Sequence, residues 1–112
     1  MSKIEQFNIN RSFISQTGTL ADTTLFTPAT DGDFLVSVYM EDITGTASVQ
    51  TTLKWTDDIG AQSITQVSAG SVSQVKSIHA IAGQPVTIGA TDFGGSQTYN
   101  IFVVAVQFPV SS

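Results

Sequence analysis

Along most of the chain apolar and polar residues alternate with a period of two, and turn residues interrupt the alternation at short intervals, the pattern of an all-β sandwich or barrel. Phe7, Ile9 and Phe13 alternate with Asn8, Asn10 and Ser12, which predicts an N-terminal strand or arm over residues 1–17. Leu20, Leu25 and Phe26 mark a Thr-rich strand over 19–27, and Pro28 to Asp33 reads as a turn in which Asp31-Gly32 offers a positive φ. Two segments are apolar on both faces. In 33–40, Phe34, Val36, Val38 and Met40 face one way and Leu35 and Tyr39 the other; in 97–108, Tyr99, Ile101, Val103 and Ala105 oppose Phe102, Val104, Val106 and Phe108. Two apolar faces predict central positions in a sheet.

The clearest alternation falls at 47–56. Ala47, Val49, Thr51, Leu53 and Trp55 point to a core, while Ser48, Gln50, Thr52, Lys54 and Thr56 point to water. Asp57, Asp58 and Gly60 then close a hairpin. Further strands are expected at 62–68, 72–82 and 85–91, with Pro85 at a strand start. The total is about eight strands, predicting an antiparallel two-sheet β-sandwich, either jelly-roll or immunoglobulin-like, with residues 18–112 as the sandwich domain.

Composition narrows the activities open to such a fold. Fifteen Thr and thirteen Ser make a quarter of the 112 residues small hydroxyls, while 12% are charged, about half the roughly 25% usual for a soluble domain. The hydrophobic content of 41% is enough to offset ordering entropy, which excludes disorder. Net charge is −5, and Lys3, Arg11, Lys54 and Lys76 stand singly, so no basic stripe can follow nucleic-acid phosphates or an anionic membrane. The absence of Cys excludes disulfides, thiolate nucleophiles and zinc-thiolate sites. No secretion signal or apolar run of membrane-spanning length is visible.

Candidate chemistry is sparse. His79 is the one imidazole, and no nucleophile elbow accompanies it, so it reads as a half-exposed strand histidine rather than a catalytic base. Asp31, Asp57, Asp58 and Asp92 fall in turns that a sandwich can gather at one end, where they could bind a loop ligand or a calcium ion, although no spacing matches an EF-hand. Trp55, Tyr39 and Tyr99 could form a sugar-stacking platform, but their apolar strand faces favour burial. Gly94-Gly95 precedes a strand rather than a helix and is a turn, not a phosphate loop. No catalytic residue, metal or cofactor is expected. Natural sheets guard their edges with Lys, Pro and inward charges. Three Lys in all leave these edges thinly protected, which predicts oligomerisation.

Three stretches, "TLFTPATDGDFLVSVYMED", "LKWTDDIGAQ" and "FGGSQTYNIFVVAVQF", together resemble small Thr-rich β-sandwich proteins encoded among the structural genes of tailed bacteriophages. The match spans roughly residues 19–108. It implies a virion-associated, non-enzymatic role as a capsid decoration, head fibre or tail accessory protein, acting as a homo-oligomer, by family analogy a trimer, bound to other virion proteins. Phe7, Ile9, Arg11 and Phe13, ahead of the shared pattern, are expected to form an assembly arm. The alternative is a carbohydrate- or host-receptor-binding module using the Asp-bearing loops and an exposed Trp55.

Overall fold

A computed structural model describes residues 8–44, 47–94 and 97–108. Eight strands form in the predicted order: β1 (Asn8–Thr17), β2 (Leu20–Phe26), β3 (Gly32–Thr44), β4 (Val49–Thr56), β5 (Ala61–Ser68), β6 (Val72–Ala80), β7 (Val86–Asp92) and β8 (Thr98–Gln107). They make two four-stranded antiparallel sheets. Sheet A has the order β1-β8-β3-β6 and sheet B the order β2-β7-β4-β5. The chain changes sheet at every connection except the β4–β5 hairpin and β8 returns between β1 and β3, so the protein is an antiparallel two-sheet β-sandwich. In an immunoglobulin domain the first two strands share a sheet; here β1 and β2 lie in opposite sheets.

The alternating residues meet as the period of two requires. Phe34, Val36, Val38 and Met40 of β3 and Tyr99, Ile101, Val103 and Ala105 of β8 face Val49, Leu53 and Trp55 of β4 and Val86, Ile88 and Ala90 of β7. Phe26 and Phe34 close one end of this core with ring centroids 4.9 Å apart. At the opposite end the buried Tyr99 hydroxyl donates to the Gly18 carbonyl, 2.6 Å away. Burial pushes the Tyr99 phenol above its ordinary value, so it remains a donor.

Of the strand or arm expected at the N-terminus, Asn8–Thr17 is a strand, the edge of sheet A, paired with β8 from Asn8↔Val106 to Thr17↔Thr98. The apolar β8 has an open edge on that side, and pairing satisfies backbone groups of both strands. Gly32 does not supply a positive φ; Gly18, Gly60 and Gly83 do. Gly32 is buried in β3, and a Cβ there would come within 2.6 Å of the Gln107 amide nitrogen. A side chain here would displace the Gln107 amide and press on the Phe34 ring, 3.3 Å away.

Candidate functional site

The two sheets turn different chemistry outward. On sheet A, the register sets Val106 opposite Leu35, Val104 opposite Ser37 and Phe102 opposite Tyr39, all on the outer side because the intervening residues fill the core. The Tyr39 and Phe102 rings stack at 6.1 Å. The next row on β6 adds Val75, which is 61% exposed, beside Tyr39 at 38% and Val104 at 36%. Exposed Asn8, Asn10 and Ser12 on β1 and Ser73 and Ser77 on β6 border this patch. The patch is flanked across the sheet by these uncharged residues and closed at its two ends by Glu41 and by the Asp33–His79 pair, and an apolar centre with a polar rim is the anatomy of a protein interface.

The outer side of sheet B carries hydroxyls instead. Gln50, Thr52, Lys54 and Thr56 of β4 lie beside Thr87 and Thr91 of β7 and Ser63 and Thr65 of β5. One ion pair crosses it: Lys54 Nζ lies 2.7 Å from Asp22 Oδ2, reaching over β7 at Gly89. A Cβ at Gly89 would collide with the Asp22 carboxylate, so the missing side chain is what lets the pair form.

At one end of the sandwich the 27–31, 57–60 and 81–85 connections are tied together. Gly83 N donates to the Pro28 carbonyl at 2.9 Å and Ile81 N to the Thr56 carbonyl at 3.0 Å. The Asp31 carboxylate accepts from Ala82 N at 2.8 Å. Asp57 Oδ1 accepts from Ile59 N at 2.9 Å and Gly60 N at 3.2 Å, and the first of these bonds holds its carboxyl below the ordinary value. His79 stands between carboxylates, with Nδ1 2.8 Å from Asp33 and Nε2 3.6 Å from Asp58. The hydrogen bond to Asp33, then the charge of Asp58, raise the imidazole above its ordinary value against the opposing effect of desolvation. Ligand atoms of Asp31, Asp58 and His79 all lie within 4.8 Å of one another. They include donors a first-row transition cation accepts, but both His79 nitrogens already face carboxylates, and the arrangement accounts for itself as an exposed ion-pair network.

The expected loop residues therefore separate. Asp31, Asp57 and Asp58 come together at this end with Asp33, and His79, which was not grouped with them, joins them. Asp92 lies at the other end, buried, where its carboxylate accepts from Gly94 N at 2.9 Å, Gln97 N at 2.8 Å and Gln97 Nε2 at 2.8 Å. It organises the β7–β8 connection. Trp55, 8% exposed, and Tyr99 belong to the core, so the three aromatics form no platform. Ile9 and Phe13 of the expected arm pack on the core. Arg11 reaches across to sheet B, donating to the Thr24 carbonyl at 3.2 Å, with its guanidinium 5.3 Å from the Phe13 ring centroid. These three serve the sandwich itself; Phe7 lies outside the described residues. The sequence signal for the outer patch was present in the second apolar face of β3 and β8, which pointed only to central positions in a sheet.

No protein-family model and no curated protein matches the chain. Among solved structures, a Bacillus endospore appendage protein, of a family of disulfide-linked pili, is similar with TM-score 0.54 and 18% identity over 96% of this chain and 89% of that one. The CBM22-1–GH10 modules of the Clostridium thermocellum xylanase 10B, solved with xylohexaose, align with TM-score 0.40 and 11% identity over 96% of this chain and 27% of that one. The first likeness is one of fold.

Proposed function

We propose that the chain is a non-enzymatic structural subunit of a bacteriophage particle, a capsid decoration, head fibre or tail accessory protein that works by binding protein. The observation that carries this reading is the outer face of sheet A, where Leu35, Tyr39, Phe102, Val104, Val106 and Val75 form an uncharged patch with no further layer over it among the described residues. Four strands spaced by about 4.8 Å and about ten residues long at about 3.3 Å each present roughly 600 Å² of flat sheet. That approaches the ~800 Å² per partner of a stable interface. The order β1-β8-β3-β6 beside β2-β7-β4-β5 supports a jelly-roll reading of the sandwich, an architecture shared by viral capsid and lectin domains. The fold alone does not choose between those uses; the apolar outer face of sheet A supports the assembly reading. The endospore appendage protein of like fold belongs to disulfide-linked pili; this chain has no Cys, so assembly through it would be noncovalent.

The test is incorporation of the full chain into particles. Val104→Lys should lower occupancy at least tenfold while leaving the thermal midpoint of the free protein within about two degrees, since the residue is 36% exposed. Unchanged occupancy in this variant and in Tyr39→Lys would overturn the reading. Deleting residues 1–17 is not a usable test, because it removes β1 from sheet A.

A further inference from the structure

Four strands end the sheets: β1 and β6 in sheet A, β2 and β5 in sheet B. An edge offers a row of N–H and C=O groups to any passing strand, and bulges, prolines or inward charges are what discourage that pairing. Three of the four edges carry such guards. The register of β1 breaks between Phe13 and Gln16, with Ser15 at φ 56°, and Arg11 occupies an inward position. That of β2 shifts twice, and its Asp22 is charged. On β6, Lys76 pairs with Val36 and so lies on the inward-facing side. β5 has none of these. Its sequence AQSITQVS contains no charge and no proline, and its pairing with β4 is unbroken from Val49↔Ser68 to Thr56↔Ala61.

We infer that β5 is the strand through which two copies of this chain join, antiparallel about a two-fold axis at Ile64, so that sheet B continues through both as eight strands. The strand is complementary to a second copy of itself. Residues opposite each other in an antiparallel pair share a face, so a two-fold pairing must be centred on a residue. Centred on Ile64, it sets Ala61 against the partner's Val67, Gln62 against the partner's Gln66, Ser63 against the partner's Thr65, and Ile64 against itself. Apolar meets apolar, amide meets amide and hydroxyl meets hydroxyl. Val67, 52% exposed in one copy, gains an apolar neighbour. Centred on Thr65, the pairing instead sets Val67 against Ser63 and Ile64 against Gln66. Such a contact is isologous and closes at two subunits. No charge of either copy lies on the paired strands themselves.

This inference rests on the reading that the chain acts by protein assembly, but it uses a different surface from the outer face of sheet A. The test uses the full chain in solution. Sedimentation should show a dimer, and Thr65→Lys, an exposed position, should raise its dissociation constant at least tenfold by placing two like charges near the axis. Under mild oxidation Ile64→Cys should cross-link to itself and Thr65→Cys should not. An equimolar mixture of Ser63→Cys and Thr65→Cys chains, both exposed substitutions, should cross-link as a heterodimer, which covers the case in which Ile64→Cys folds poorly. A monomeric wild type, a dimer indifferent to Thr65→Lys, or self-linking of Thr65→Cys in place of the mixed pair would each overturn it. Because particle occupancy is read separately, a monomer that still enters particles through sheet A overturns the edge pairing alone.

Discussion

Sheets A and B line the same core with the same kinds of residue, yet their outer sides differ: Phe102, Val104, Val106, Leu35 and Tyr39 on one, Thr52, Thr56, Thr65, Thr87 and Thr91 on the other. Both sides are poor in charge. A Thr carpet hydrogen-bonds to water through its hydroxyls and costs little to leave exposed. Aromatic and branched aliphatic side chains in water cost about 25 cal/mol per Å² of apolar surface relative to being covered. The difference teaches that low charge by itself does not mark an assembly surface; the covered face is expected where low charge coincides with apolar area.

The sharpest way to break this comparison is to make the same change on both sides. Val104→Lys should cost at least about 1.4 kcal/mol of binding to the particle, roughly tenfold, whereas Thr52→Lys should change occupancy less than about twofold. Equal losses, measured by densitometry of purified particles, would show that the two faces are not distinguished.

A smaller effect probes the hydroxyl side from within. Gly89→Val places a side chain where the Asp22 carboxylate sits, and unfolding in urea should register a loss of about 1–3 kcal/mol. Smaller again is the ion pair that Gly89 admits. Its partners are 49% and 47% exposed, so Asp22→Asn should cost no more than about 0.5 kcal/mol after solvent screening, and the difference should vanish in high salt. If Asp22→Asn matched Gly89→Val in cost, the pair rather than the packing would hold sheet B together.

The smallest effect is expected where the outer side of sheet A meets the loops of sheet B, at His79. The folded-state pKa is raised above the ordinary 6.5. The contribution of His79 to stability is therefore fully present below that value and is lost as pH rises through the folded one. The thermal midpoint should fall slightly across that window in the wild type and stay flat in His79→Gln. A wild-type midpoint that rose instead would mean that His79 is stabilised in its neutral form.

Much of this was legible along the chain. The alternation at Val49 to Thr56 assigned every inward and outward residue of β4 correctly, because a strand with one buried face has only one workable phase. The Asp57–Gly60 hairpin followed from turn chemistry. β3 and β8 were harder. Their two apolar faces marked them as central, which they are, but the pattern did not tell which face meets water. Periodicity reports that a face is apolar and is silent on whether another layer lies over it. Arg11 and Phe13 read as an arm for a related reason: whether a terminal strand pairs depends on an open edge some ninety residues away on β8.

The candidate sites divide in the same way. Asp31, Asp57 and Asp58 share an end because antiparallel strands return alternate connections to the same place, and Asp92 goes to the other end for the same reason. That Asp33 and Asp58 hold one imidazole between them was not visible, since it joins β3, β6 and the β4–β5 hairpin across both sheets. By itself the sequence determined the strands, their phases, the all-β class and the scarcity of charge, all of which are local consequences of residue type and period. Only the tertiary structure decided which apolar face meets water and which edge is left unguarded, because both depend on what lies beside a strand rather than within it.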